Sequence, residues 1–172
     1  MRWKRRASCR RCSTVQCDFN LPERFQLEYA SADGKRKQPI MLHRAIFGSL
    51  ERFFGVLIES TAGDFPCWLA PVQLRLLPVS DDFRPFCERV LATALDAGVR
   101  AEIDAGGRSL SKQIKVANEE KVPILAVVGR KEVESSSLTL ARRKGGDSGP
   151  MPIAEAIARL AEARDRAEEP LQ

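Results

Sequence analysis

Between Ala45 and Thr61 the apolar positions Ile46, Leu50, Phe53, Phe54, Leu57 and Ile58 recur at three- and four-residue intervals, with Glu51, Arg52 and Glu59 on the other face. That spacing predicts an amphipathic helix. Ahead of it, Ser13 to Phe19 alternates in part, Val15, Cys17 and Phe19 falling on one side. With β-branched Thr14 and Val15 this predicts a strand, followed by a turn-rich interval. Asp33-Gly34 between the runs Gln26 to Tyr29 and Gln38 to Leu42 predicts an antiparallel hairpin. The breaker-rich Ala62-Gly63-Asp64-Phe65-Pro66 stops the helix and places a domain boundary between Gly63 and Pro71.

Beyond that point the periodicity switches back and forth between strand and helix. A strand spans Val72 to Val79, and Ser80 is an N-cap for a helix carrying Phe83, Cys87, Val90, Leu91 and Ala94, stopped by Gly98. Then come a strand at Val99 to Ile103, a glycine turn, a helix around Leu110, Ile114 and Ala117, and the apolar run Ile124 to Val128, which suits a strand covered on both faces. Leu138 to Ala141 suggests a further strand. A last helix has Pro152 near its first turn and Ile153, Ile157 and Leu160 on one face. The expected fold class is α/β: antiparallel β plus a helix, followed by an α/β domain with a mixed, largely parallel sheet flanked by helices.

Composition changes the picture in two ways. The formal net charge is +5, yet Arg2, Lys4, Arg5, Arg6, Arg10 and Arg11 crowd the first eleven residues, leaving 22 basic against 23 acidic residues in the remainder. The folded body is therefore not a uniformly basic nucleic-acid binder, and any RNA site is a local patch. Five scattered cysteines, an odd number, lack the dense spacing of a secreted disulfide scaffold, which points to a reducing compartment with free thiols as the default. No apolar run reaches the roughly 20 residues that cross a bilayer, so no membrane partner is expected. Ala105-Gly106-Gly107-Arg108 has neither dinucleotide nor Walker spacing and reads as a simple turn. Cys9-Arg10-Arg11-Cys12 with Cys17 offers a metal reading, carried by a single C-x-x-C.

The run Met41-Leu42-His43-Arg44-Ala45-Ile46-Phe47-Gly48-Ser49-Leu50-Glu51-Arg52-Phe53 resembles motif three of the class II aminoacyl-tRNA synthetases in the form typical of the threonyl-tRNA synthetase family. Cys12-Ser13-Thr14-Val15-Gln16, Asp18-Phe19-Asn20-Leu21-Pro22-Glu23-Arg24, Phe65-Pro66-Cys67-Trp68-Leu69-Ala70-Pro71-Val72-Gln73 and Val122-Pro123-Ile124-Leu125-Ala126-Val127-Val128-Gly129 agree with that family. So does Lys131-Glu132-Val133-Glu134, so that the resemblance runs from about Cys12 to Leu160. By composition residues 1–11 read as a basic, disordered start, and the resemblance implies 12–66 as the C-terminal part of a class II catalytic domain and 67–172 as an anticodon-binding domain.

The resemblance also implies roles. Gly48 and Ser49 are small enough for a nucleotide to approach the backbone, and Arg52, taken alone an ordinary solvated helix arginine, would stack on adenine and help hold the phosphates of ATP as the catalytic arginine. His43 would be one of three zinc ligands, the other two lying upstream of this sequence, and the zinc would bind threonine's amino and hydroxyl groups. Gln16 and Asp18 match amino-acid-binding positions; strand-edge polarity explains them equally well. Glu132 matches a glutamate that accepts hydrogen bonds from base edges, and Arg142 and Arg143, with Lys144, form a basic cluster for tRNA phosphate or an ordinary solvated loop. The family has an Arg-Asn pair where this chain has Ala105-Gly106-Gly107-Arg108, and an aromatic residue and glutamine where it has Arg10 and Arg11. Motifs one and two have no counterpart.

The expectation is thus a threonine–tRNA ligase sequence, ATP, magnesium and zinc serving the intact enzyme, with threonine and threonine tRNA as partners and a homodimer as the family's assembly. The chain alone is expected to be inactive and to hold none of these cofactors stably. The alternative is a freestanding module, derived from the anticodon-binding domain, that binds tRNA or protein. The expected compartment is cytoplasmic, with plastid or mitochondrion as the alternative.

Overall fold

The computed structural model describes residues 13–143 and 145–167. The basic start, the Cys9-x-x-Cys12 reading and Lys144 lie outside them. The chain's contacts divide it into two compact units, Met1–Ser60 and Thr61–Gln172.

In the first unit, β1 (Thr14–Asp18) leads into a short helix α1 (Asn20–Arg24), where the pattern predicted only turn. The reason is local: Asp18 Oδ1 accepts the N–H groups of Asn20 at 2.9 Å and Leu21 at 3.1 Å, serving the donors that a starting helix leaves unpaired. β2 (Tyr29–Ala30) and β3 (Arg36–Lys37) flank the Asp33-Gly34 turn, with Gly34 at φ +76°. The hairpin is shorter than predicted because Leu42 belongs to β4 (Met41–Ala45), whose antiparallel partner is β1, with Gln16 opposite His43.

The helix α2 (Leu50–Thr61) starts at Leu50 rather than Ala45. Ala45 completes β4 opposite Thr14, Gly48 takes φ +64°, and Ser49 Oγ accepts the Arg52 N–H at 3.3 Å, so the strand-to-helix corner occupies residues 46–49. Phe47 packs on Phe53, ring centroids 4.5 Å apart, and braces that corner. The apolar stripe of α2 is present but unsealed: Leu50, Phe54 and Ile58 are each about half exposed, and Pro22 is the one buried residue among the unit's described residues.

The second unit runs β5 (Leu74–Pro78), a 3-10 turn Asp81–Phe83, α3 (Arg84–Asp96), β6 (Ala101–Ile103), α4 (Leu110–Glu119) and β7 (Ile124–Val128). It continues with α5 (Arg130–Ser135), β8 (Ser137–Arg142), β9 (Asp147–Pro152) and α6 (Ile153–Asp165). The five-stranded sheet has the order β6-β5-β7-β8-β9. Its β6-β5-β7 half is parallel, as alternating strands and helices predict; β8 and β9 extend it antiparallel. α5 and β9 were not expected. The Gly- and Pro-rich Asp147–Pro152 carries no strand pattern, and it is tolerated because β9 lies at the sheet edge, where a missing proline N–H costs no interior ladder bond.

Alternation along the strands sorts two apolar layers. Leu74, Leu76, Ile124, Ala126 and Val128 pack with Phe86, Cys87 and Val90 of α3 and Ile157 and Leu160 of α6. Leu77 and Leu125 face the other way onto Ala117, Leu110 and Ile114 of α4. Arg75, nearly buried on the otherwise apolar β5, is paired with both Glu102 of the neighbouring β6 and Glu120. Lys121 Nζ donates to Ala62 O and Arg143 pairs with Asp64, which fastens the first residues of the second unit to the rest of that unit.

Gly98 ends α3 with φ +73°, its N–H donating to Leu95 O at 2.8 Å, while Arg164 Nη1 of α6 donates to Ala97 O at 3.0 Å. A Cβ on residue 98 would collide with the Arg164 guanidinium. Gly98→Ala therefore combines left-handed strain with loss of that carbonyl partner and should cost about 2 kcal/mol. A urea midpoint lowered by less than about 0.5 kcal/mol equivalent would show that Arg164 steps aside freely.

Candidate nucleic-acid interface

In the second unit the parallel strands all end on one edge. The Val79 N–H donates to Val128 O, the Asp104 N–H to Leu76 O, both at 2.9 Å, so the loops after β5, β6 and β7 emerge side by side. Helix α3 leaves β5 across one face and α4 reaches β7 across the other, which makes this carboxyl edge a topological switch point, the place where open α/β sheets present loops to ligands.

Glu132 sits here, in the first turn of α5. Its Oε2 accepts the Gly129 N–H at 2.9 Å, which holds the carboxylate over the start of the helix with further lone pairs to spare. Beside it lies an open surface cleft of about 800 Å³, lined among others by Lys131, Glu134, Ser136, Thr139 and Met151. The same edge carries Arg84, Arg108, Lys112, Arg130 and Lys131 in the loops or first helical turns after the strands. Pattern reading did not single these out as a set. Their common signal is position just after a strand's end, which becomes meaningful only once the strands are known to be parallel.

The basic cluster behaves differently. β8 is antiparallel to β7 and Arg142 stands opposite Ile124, at the amino end of β7. Arg142 and Arg143 are therefore separated from Glu132 by the length of β7, about 16 Å at the usual rise per residue. Arg143 is mostly buried and paired with Asp64, and its backbone N–H donates to Pro123 O at 3.1 Å. The structure does not bring Arg142 and Arg143 together with Glu132.

In the first unit the ribbon of β1 and β4 places Gln16, Asp18 and His43 on one face, with Val15, Cys17, Leu42 and Arg44 on the other. Asp18 Oδ2 lies 3.3 Å from His43 Nε2. The N–H groups of Leu21 and Asn20, with His43 beside them, hold the Asp18 carboxyl below the usual aspartate range. A structural zinc tetrahedron takes four protein ligands and a catalytic one three. Here one imidazole meets one carboxylate already engaged by two backbone N–H groups, and no three metal-ligating side chains cluster among the described residues. These residues do not fit a zinc site by themselves, and Cys17 points away on the opposite face. Gly48, Ser49 and Arg52 sit together on the corner before α2 and in its first turn, with the Arg52 side chain exposed.

Cys17 and Cys87 are free thiols, and burial pushes the Cys87 thiol up to about 11. Among the described residues no helix is long and apolar enough to cross a membrane.

Residues 73–163 match the family model described as Anticodon binding domain, and residues 2–61 the one described as tRNA synthetase class II core domain (G, H, P, S and T). A threonine–tRNA ligase of a Synechococcus species is 52% identical over 159 residues, which are 92% of this chain and 26% of that relative. The threonine–tRNA ligase of Chloroherpeton thalassium is 52% identical over 144 residues, 84% of this chain and 22% of the relative. The crystal structure of the RNA binding domain of threonyl-tRNA synthetase from Cryptosporidium parvum superposes with a TM-score of 0.81 at 28% identity, covering 88% of this chain and 38% of that one. The chain spans about a quarter of the length of these curated relatives.

Proposed function

We propose, from the premise that this chain belongs to the anticodon-binding domain family and carries the end of a class II tRNA synthetase core ahead of it, that its carboxyl edge reads threonine tRNA as part of a threonine–tRNA ligase. The observation that supports this reading most is the placing of Glu132: a carboxylate held by Gly129, beside an open cleft, on the edge that also carries five cations. The cations supply the sequence-independent attraction to phosphate, and the carboxylate supplies discrimination by accepting from base edges. A base with two adjacent donors on its Watson–Crick edge, as guanine has, suits a carboxylate best.

In the intact ligase Gly48, Ser49 and Arg52 would face ATP, the corner giving close backbone approach and the exposed guanidinium a planar cation for adenine and phosphate. Gln16 and Asp18 would stand toward threonine on the face shared with His43. Threonine, ATP with magnesium, and a homodimeric assembly belong to that proposal for the whole enzyme. Zinc enters only with ligands supplied from outside the residues described, and no step is derived through it.

The test is direct binding of the purified chain to threonine tRNA and to a non-cognate tRNA across a salt series. We expect selective binding with a log–log salt slope of about −2 to −4, corresponding to three to five phosphate contacts. Equal affinity for both tRNAs would reduce the edge to a phosphate binder, and no binding at low salt would sink the reading.

A further inference from the structure

Two amides are buried among the described residues of the second unit, and they are used differently. Gln73, 1% exposed, employs both ends: Nε2 donates to Cys67 O and Oε1 accepts the Arg100 N–H, each at 3.0 Å. Gln113 of α4, 2% exposed, employs one. Its Nε2 donates to Pro78 O and to Arg108 O, both at 3.1 Å, while Oε1 has no partner. The two carbonyls settle which end is which, since a flipped amide would set oxygen against oxygen. A position chosen for packing alone would be apolar, because a buried acceptor without a donor is unfavourable. What the amide contributes is the pair of donated bonds, one to the last residue of β5 and one to the turn that precedes α4.

That turn needs holding. Gly106 and Gly107 follow one another at φ +79° and +70°, and glycine is the residue with the most backbone freedom to lose. The turn is fixed at its start by Asp104, 5% exposed, whose Oδ1 accepts the Gly106 N–H at 3.1 Å. It runs close against the loop after β5, where a Cβ on Gly106 would lie 3.3 Å from Asp81 Oδ1. Gln113 fixes its other end at the carbonyl of Arg108, a residue in the loop at the carboxyl edge.

We infer that Gln113 is a positioning residue for tRNA binding: it pins the Ala105–Arg108 turn to the end of β5 so that Arg108 is presented to phosphate. The inference rests on the tRNA reading of the edge. It attributes no contact with RNA to Gln113 itself, and the consequences follow from that. Gln113→Met keeps length and fills the space but cannot donate. It should lower melting by about 5–10 °C without unfolding the chain, speed amide exchange in the 105–109 turn about tenfold or more, weaken tRNA binding roughly fivefold and lower the salt slope by about one. Arg108→Met, a change at a part-exposed side chain, should lower the slope by the same amount without disturbing exchange. The double variant should bind no more weakly than Gln113→Met alone, because both changes remove one contact.

Additive losses in the double variant, or a Gln113→Met chain whose turn exchanges at the parental rate, would overturn the inference. So would an affinity loss that only follows a fall in melting temperature with the salt slope unchanged. If the parent chain fails to bind tRNA, the reading of the edge fails and the positioning role with it. Exchange in the turn would then report separately whether Gln113 holds the backbone.

Discussion

Leu76→Ala should lower the stability of the second unit by about 3 kcal/mol, with little change in the denaturant slope. Leu76 is fully buried in the middle of β5, the strand flanked by β6 and β7, opposite Ile103 on one side and Ala126 on the other. It belongs to the layer formed by α3 and α6, so truncation leaves a cavity walled by two helices and a hydrogen-bonded sheet that cannot close over it. A domain of this size has roughly 5–15 kcal/mol in all, and the loss would lower the melting temperature by about 10–20 °C. Leu42→Ala is the natural control. Leu42 is 64% exposed on the ribbon of the first unit, and its truncation should change stability by less than about 0.5 kcal/mol. Equal losses from the two substitutions would mean that the ribbon's surface is sealed in solution and that the layer around Leu76 relaxes more than its packing indicates.

Glu132→Gln should weaken binding of threonine tRNA by about 1–3 kcal/mol, roughly 5- to 150-fold, and reduce discrimination against non-cognate tRNA by a similar factor. The substitution is nearly isosteric and keeps a side-chain oxygen for the Gly129 N–H, so α5 should remain capped and melting should move little. What changes is the outer part of the group: a carboxylate that can accept from two adjacent donors becomes an amide that turns one donor against them, leaving buried polar atoms unpaired. Because no cation is removed, the salt slope should stay where it was. Unchanged affinity and unchanged discrimination would exclude Glu132 from the site, whereas a loss of both with a large fall in melting temperature would show that its work is confined to the cap.

Much of this architecture was legible in local pattern. β7 is the apolar run Ile124 to Val128, α3 has its apolar residues at helical spacing after Ser80 and stops at Gly98, and β1 is the alternating segment ahead of Asp18. α5 was missed, although Gly129 followed three residues later by Glu132 carries half of a capping signal, because six residues are too few to show a period. The start of α2 was misplaced because Ile46 fits the helical stripe by spacing, while residue 45 is needed by the ladder with Thr14. The Asp33-Gly34 turn was found, but its strands were extended toward Leu42, which pairs elsewhere.

The elements and the family likeness are written in local pattern, since helix period, strand alternation, caps and motif spacing depend on neighbours within a few residues. Which charges share a surface depends on how the strands pair. Glu132 and Arg142 are ten residues apart along the chain, yet the antiparallel return of β8 carries them to opposite ends of the sheet. Arg143 is withdrawn from any basic cluster by Asp64, 79 residues away, and Gln113 reaches Pro78 across 35. Such pairings are set by the order and direction of strands in the sheet. Burial and long-range hydrogen bonding select that order for the chain as a whole, and no stretch of local pattern records it.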